Sequence, residues 1–380
     1  METTPLGGVR PCCLYKEEIP DINLKTHTME QAFHSEYMDN LRKEFEDGGK
    51  PAGCERCWME EDAGKTSKRM FMLKKFKDYT FDTNLIFLDL KLGNICNLQC
   101  RICGAWSSSK WAQEDITRQK IEHPEYKKPP LAAEWLRLGQ WPRRSPDFWS
   151  NMDELLPGIK YFEFTGGEPF LIKQHFDLLQ RAVERGYSNE IDIHYNTNGT
   201  QFPKQHEVWR HFKHVQIAFS IDNTGKRFEY ERYGAKWRTV NRNIKRFLEL
   251  KEQGYPLSFQ ICITWNIQNT WYISDILKWA KSSGIDDIHF NLMHDPEEFS
   301  LTHLPETIAS ELYKQLDKAI VKHPEFESQI RSLKTVMNLN TQTWGTGDYL
   351  RQRLRQIDVH RNVNFAETHP EVAQRIGYEK

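Results

Sequence analysis

The sequence predicts an α/β protein built on a parallel sheet, a partial (β/α)6 barrel preceded by a small cysteine-bearing domain and followed by helices. Three observations lead there. From Asn84 onward, strand-like and helix-like segments alternate. The C-terminal end of each strand-like segment carries polar or glycine-rich residues, and parallel α/β folds place their sites at that end. The first 80 residues hold no such unit but carry four of the eight cysteines.

The elements follow in order. Leu85–Leu92 is the first strand and runs into Cys96-Asn97-Leu98-Gln99-Cys100-Arg101-Ile102-Cys103. An overlong connection follows, with Pro129, Pro130 and Pro142 marking an insertion around a surface loop (about residues 106–150). Ile159–Thr165 is the second strand and ends at Gly166-Gly167-Glu168-Pro169. After it, Ile172, Phe176, Leu179 and Val183 recur at helical spacing until Gly186. Ile191–Tyr195 alternates as a third strand and leads to Asn196-Thr197-Asn198-Gly199-Thr200. Val215–Ile221 ends at Ser220-Ile221-Asp222, Leu257–Ile267 ends near Asn266, and Ile285–Leu292 ends at Asn291 and His294. Helical faces separate these strands, among them Val240, Ile244, Phe247 and Leu248, then Ile273, Ile276, Leu277 and Ala280. Such units imply a parallel sheet with right-handed crossovers. The expected domains are 1–80, 81–300 and a helical extension over 301–380.

Composition excludes several classes. A net charge of −1 argues against general nucleic-acid binding, which needs a basic surplus. The basic run Lys68–Lys77 is interleaved with Met70, Phe71, Leu73 and Phe76, so it reads as a half-buried helix. No segment reaches the roughly 20 apolar residues of a membrane span. Met1–Pro11 lacks the apolar core of a signal peptide, so a cytoplasmic location is expected. There thiols stay reduced, and clustered cysteines read as metal ligands.

Cys96, Cys100 and Cys103 are spaced C-x3-C-x2-C. Three thiolates so placed can share one iron–sulfur cube and leave its fourth iron without a protein ligand, whereas such clusters usually have four cysteines. A zinc site with a distant fourth ligand is the alternative. Gly166 and Gly167 allow close backbone approach to a ligand, and the neighbouring Glu168 can receive an ammonium group. Ser220 and Asp222 alternate with Ile221 and can both face the barrel mouth. Thr197 and Asn198 are further polar lining, with Arg232, Asn266, Asn291, His294 and Asp295 as weaker candidates. Cys262 reads as core packing.

On these residues the chain resembles the radical S-adenosylmethionine (SAM) enzymes over nearly its whole length. The resemblance implies a TIM-like partial barrel. It also implies a [4Fe–4S] cluster held by Cys96, Cys100 and Cys103, and SAM chelated by the vacant iron. Gly166, Gly167, Glu168 and Pro169 would bind the SAM amino group, while Asn198, Ser220 and Asp222 would contact its remaining polar groups. Reductive cleavage of SAM would then give methionine and a 5′-deoxyadenosyl radical that abstracts hydrogen. The position before the last cysteine, often aromatic in the family, is Ile102 here.

Cys12, Cys13, Cys54 and Cys57, with Gly8 before them and Glu60, Glu61 and Gly64 after, resemble the twitch and SPASM auxiliary-cluster modules. These usually follow the barrel, and here the set precedes it. The resemblance implies an auxiliary [4Fe–4S] cluster, with zinc as the alternative and the ligand set open between Cys12 and Cys13. It further implies a flavodoxin- or ferredoxin-type electron donor, and oxidation or cross-linking of a peptide or protein substrate. A sugar or small metabolite, or a non-catalytic electron-transfer protein, are the competing readings.

Overall fold

Among the described residues ten strands order the chain: β1 (Glu2–Thr3), β2 (Val9–Arg10), β3 (Phe87–Leu90), β4 (Gln99–Cys100), β5 (Tyr161–Phe164), β6 (Asp192–Thr197), β7 (His214–Ser220), β8 (Arg232–Tyr233), β9 (Leu257–Trp265) and β10 (Asp287–Leu292). The computed structural model describes residues 1–62, 64, 66–79, 84–125, 130–293, 295–301, 304–338 and 348–378. Eight strands form one sheet in the order β10-β9-β7-β6-β5-β3-β1-β2. From β3 to β10 every pair is parallel and neighbours follow chain order, with helices Lys173–Glu184, Trp237–Glu252 and Ile273–Ser282 between them. This is the expected α/β architecture, six parallel strands of an open barrel.

The N-terminal segment adds to it. β1 pairs in parallel with β3 and antiparallel with β2, so residues 2–10 extend the barrel sheet although they lie in the cysteine-bearing segment. Between the two cysteine pairs lie two helices, Met29–Phe33 and Glu36–Glu46. A capping box from Thr28 and Gln31 starts the first, and Ser35 occupies the N-cap of the second. The insertion is more helical than its prolines suggest, with helices Ser109–Glu122, Leu131–Leu138 and Phe148–Leu155. Residues 126–129 and His294 lie outside the described residues.

Strand alternation separates two chemistries. Ile193, Tyr195, Ile217, Phe219, Ile261 and Ile263 are fully buried in the core cluster with Phe176, Phe247 and Ile276 from the helices. The other face carries Asp89, Glu163, His194, Gln216, Ser258, Gln260, Cys262 and Thr264, several of them half-buried. A closed eight-stranded barrel fills this space with apolar layers. Here the lumen wall is polar. Two helices of the N-terminal segment, Glu55–Asp62 and Lys68–Lys75, reach it. Lys68 pairs with Glu163 (2.9 Å), Lys75 with Asp192 (3.0 Å), and Arg56 donates to Asn291 (3.4 Å).

The C-terminal helices include Glu306–Lys322, Glu327–Asn338 and Asp348–Arg361. The last of these backs the cysteine loop. Asp358 accepts from Arg101 Nη2 (2.6 Å), Tyr230 Oη (2.7 Å), the Phe365 amide (2.6 Å) and Tyr378 Oη (2.6 Å). Arg101 is fully buried between the first two cysteine-ligand candidates and the third. Asp358→Ala would leave that guanidinium without its carboxylate, so a stability loss of about 3–5 kcal/mol is expected in denaturant unfolding. An unchanged unfolding midpoint would show that the contact is dispensable. Among the described residues, no helix is long and apolar enough to cross a membrane.

Candidate active site

The cysteine loop is built from backbone outward. Ser108 N-caps the helix Ser109–Glu122 by accepting from the Trp111 amide, and its hydroxyl donates to the Leu98 carbonyl (2.6 Å). The next hydroxyl, Ser109, accepts from the Cys96 amide (3.2 Å). Trp111 Nε1 donates to the Cys100 carbonyl (2.7 Å). β4, which contains Cys100, pairs with β8 so that Cys100 faces Arg232 and Gln99 faces Tyr233. The three thiols are thereby held on a loop anchored at both ends.

Around the sulfurs the structure gathers donors. Cys96 Sγ accepts from the Leu98 amide (3.5 Å) and lies 3.9 Å from Asn198 Nδ2. Cys100 Sγ lies 3.9 Å from Arg232 Nη1. Burial pushes the Cys96 and Cys100 thiols up and the Cys103 thiol up to about 12. Cys100 acts electrostatically on both of the other two. Half-buried thiols that repel one another as thiolates, with a guanidinium and amides turned toward them, fit a cationic iron cluster, since metal binding deprotonates its ligands. Among the described residues, no three histidine, cysteine, aspartate or glutamate side chains converge on a single metal ion. Thiolates that each bind a different iron of one cube need not converge on one point.

The glycine pair packs against this loop. Gly166 and Gly167 both have positive φ (73° and 62°). A Cβ at Gly167 would fall 2.5 Å from the Ile95 carbonyl oxygen, and the Glu168 amide donates to that same oxygen (2.8 Å). The Gly167 amide donates to Ser107 Oγ (3.2 Å). At Gly166 the atoms nearest a Cβ belong to the Lys91 side chain, with Cγ at 2.8 Å, and not to the cysteine loop. Either alanine carries the left-handed penalty of about 1–2 kcal/mol. Gly167→Ala alone pushes on the backbone beside Cys96, so it is expected to lose iron on reconstitution while Gly166→Ala retains it. Equal retention in iron assays would contradict this placement.

Two of the expected site carboxylates have partners within the protein. Glu168 is fully buried and its carboxylate is taken up locally. Thr197 Oγ1 (2.7 Å) and the Phe170 amide (3.3 Å) donate to Oε1, and the Asn198 amide (2.8 Å) donates to Oε2. Burial raises its pKa to about 7, and its hydrogen bonds tie the ends of the second and third barrel strands together. The backbone of Gly166 and Gly167 is what faces the loop. Asp222 is likewise buried: Oδ2 pairs with Arg232 (2.6 Å) and Oδ1 accepts the Thr264 amide (2.9 Å). It positions Arg232 against Cys100.

The other candidates sort clearly. Asn198 Nδ2 reaches both Cys96 Sγ and Asn97 Oδ1 (3.2 Å), so the third strand end does join the cysteine loop. Ser220 is half-buried at the end of β7, opposite Cys262 of β9. Pro169 is buried in the short 3-10 turn after Glu168. Asn266 is buried within its own turn, and Asn291 faces Arg56. Cys262 lies on the lumen face rather than in the core, because its strand neighbours Ile261 and Ile263 take the buried face.

Several contributors escaped the sequence reading. Ser107 and Ser108 precede the helix that Ser109 begins, and nothing local in the sequence marks them as ties to the cysteine loop. The apposition of Arg232 and Cys100 depends on the β4–β8 pairing, a contact across 132 residues with no local signal.

Residues 90–280 match the family model described as the Radical SAM superfamily. No curated protein matches the chain. Solved structures similar to it include a polyhistidine-tagged anSMEcpe with bound AdoMet, at 16% identity over 64% of this chain and 61% of that one, with a TM-score of 0.42. Streptococcus suis SuiB bound to precursor peptide SuiA is another, at 15% identity over 81% and 65%, with a TM-score of 0.38. The chain thus spans 61% to 65% of the length of these two proteins.

Proposed function

The chain belongs to the radical SAM superfamily, and from that premise we propose that it is an enzyme cleaving SAM reductively at a [4Fe–4S] cluster held by Cys96, Cys100 and Cys103. The observation that carries this reading is the meeting of three strand ends at one loop. Gly167 abuts Ile95, Asn198 reaches Cys96, and Arg232 (braced by Asp222) reaches Cys100. Bound there, the cluster supplies the electron that breaks the SAM sulfonium bond, and the cofactor carries the hard chemistry.

The chain's own residues bind, orient and shield. The backbone at Gly166 and Gly167 meets the amino group of SAM, and Ser220 and Asn198 offer hydroxyl and amide groups to its polar parts. Glu168 keeps the second and third strand ends in register through Thr197 and Asn198. Arg101, Asp358 and Arg361 close the back of the loop, where Arg361 pairs with Glu114 (3.1 Å), and so exclude water from that side.

The substrate is proposed to be a peptide or protein side chain that is oxidised or cross-linked. Supporting this are the polar lumen wall and a second cysteine set that borders it, Cys57 on the helix whose Arg56 reaches Asn291 and Cys13 beside Lys68. The set is proposed to hold an auxiliary iron–sulfur cluster that takes an electron from the substrate, and the electron donor to be of flavodoxin or ferredoxin type. A sugar or small metabolite would keep the same cofactor chemistry and change only the lumen contacts. The test is direct. Anaerobically reconstituted protein with dithionite and SAM should release 5′-deoxyadenosine, detected by chromatography. Cluster-loaded protein that never cleaves SAM would favour a non-catalytic electron carrier.

A further inference from the structure

The helix Glu55–Asp62 has two working faces. Arg56 donates to Asn291 of β10 and pairs with Glu60 (3.5 Å), so that face meets the lumen wall. Glu55, Trp58, Met59 and Asp62 stand at i, i+3, i+4 and i+7, a single stripe of the helix. All four line a cleft of about 760 Å3. One helix therefore stands between this cleft and the lumen. The facing wall comes from Tyr15 and from the helix Glu36–Glu46, through Tyr37 and Leu41. Tyr15 and Tyr37 share a hydrogen bond between their hydroxyls (3.1 Å), with their rings edge to face at 83°. Trp58 Nε1 donates to the Pro51 carbonyl (3.0 Å), and Arg69 lies over the indole (4.6 Å) while pairing with Glu61. These contacts fix the aromatic walls before any ligand arrives. Met59 nonetheless stays 52% exposed beside them. A concave, preformed surface of aromatic and apolar groups with a few polar ones is the usual form of a binding site.

The charged groups of the cleft are mostly of one sign. Glu17, Glu44, Glu55 and Asp62 line it against Lys16 alone. Lys16 lies 4.0 Å from Glu55, and Lys50, outside the lining, takes Asp62 (3.4 Å). Glu17 and Glu44 are both exposed and have no ion-pair partner among the described residues. The chain as a whole carries a net charge of only −1, so the acidic excess is local to this cleft. Complementary potential selects partners and guides their approach, and here it selects cations.

We propose that this cleft binds a segment of the peptide substrate in which lysine or arginine stands beside a large apolar residue, a segment separate from the residue that reacts. This rests on the proposed reading of the substrate as a peptide. Glu17 and Glu44 receive the cations, while Tyr37, Trp58 and Met59 pack against the apolar side chain. A helix with its side chains is about 10–12 Å across, and an extended chain advances about 3.3 Å per residue, so about three or four residues at least separate the bound segment from the reacting one.

The test titrates the anaerobically reconstituted full chain into a fluorescein-labelled peptide of repeating Lys-Leu-Gly units, and into matching Glu-Leu-Gly and Lys-Ser-Gly peptides, with fluorescence anisotropy as the readout. The Lys-Leu-Gly peptide should bind more tightly than either of the others, and less tightly as added salt screens the carboxylates. The double variant Glu17→Lys, Glu44→Lys should weaken that binding by about tenfold or more, because it sets like charges against the peptide. Met59→Ala should weaken it too. The double variant Glu122→Lys, Glu184→Lys makes the same change in net charge at exposed positions on other helices, and it should bind as the unaltered protein does. Equal affinity for the Glu-Leu-Gly peptide, equal loss in the two double variants, or no binding of the Lys-Leu-Gly peptide would overturn the assignment. Release of 5′-deoxyadenosine by the same preparations is scored separately. Protein that cleaves SAM but ignores the peptide would overturn the cleft assignment and leave the proposed catalytic reading standing.

Discussion

Replacing Cys100 with alanine is expected to abolish 5′-deoxyadenosine release while the protein still folds. Two hydrogen bonds hold this position through the backbone: the Cys100 carbonyl accepts from Trp111 Nε1, and the following Arg101 amide donates to the Glu231 carbonyl (2.8 Å). Alanine keeps both and removes only the sulfur. A cluster that normally rests on cysteine thiolates then has two protein ligands here. Iron assays should show loss of the catalytic cluster, and chromatography should show product at the level of iron-free protein. Release at an undiminished rate would mean that the triplet is not the reaction centre.

The second large effect belongs to Arg232. Its guanidinium is buried between Asp222 (2.6 Å) and Cys100 Sγ (3.9 Å). Arg232→Met leaves Asp222 buried and unpaired, so a stability loss of about 3–5 kcal/mol is expected. The same change alters the cluster. Reduction adds negative charge, which a nearby cation stabilises, and charge together with hydrogen bonds to the sulfurs sets such potentials. Arg232→Met should therefore lower the reduction potential of the catalytic cluster. Asp222→Asn, which leaves the cation less compensated, should raise it. Redox titration monitored by electron paramagnetic resonance reads both signs. Shifts in the same direction would remove Arg232 from the electrostatics of the cluster.

The sheet was legible because each strand is an apolar run ending in recognisable chemistry. Ile191, Ile193 and Tyr195 alternate in the sequence and are all buried on one face. The strand starts and ends agree to within a few residues, as with Val215–Ile221 against the observed His214–Ser220. The cysteine triplet, Gly167 and Asn198 were legible as a group because each follows a strand. What escaped was set by distant pairing. Glu168 and Asp222 looked like free carboxylates, yet each lies buried among donors that arrive from other strands. The contact of Cys13 with Lys68 spans 55 residues and has no local signal either. The capture of Arg101 by Asp358 spans 257 residues and has no local sequence signature.

The central claim is that SAM completes the cluster held by Cys96, Cys100 and Cys103. Electron paramagnetic resonance of the reduced cluster tests it most directly, on protein whose Cys12, Cys13, Cys54 and Cys57 have all been replaced so that any signal belongs to the triplet. Adding SAM should change the g values of that signal, because a ligand has joined an iron. A spectrum that stays the same at saturating SAM would contradict the claim.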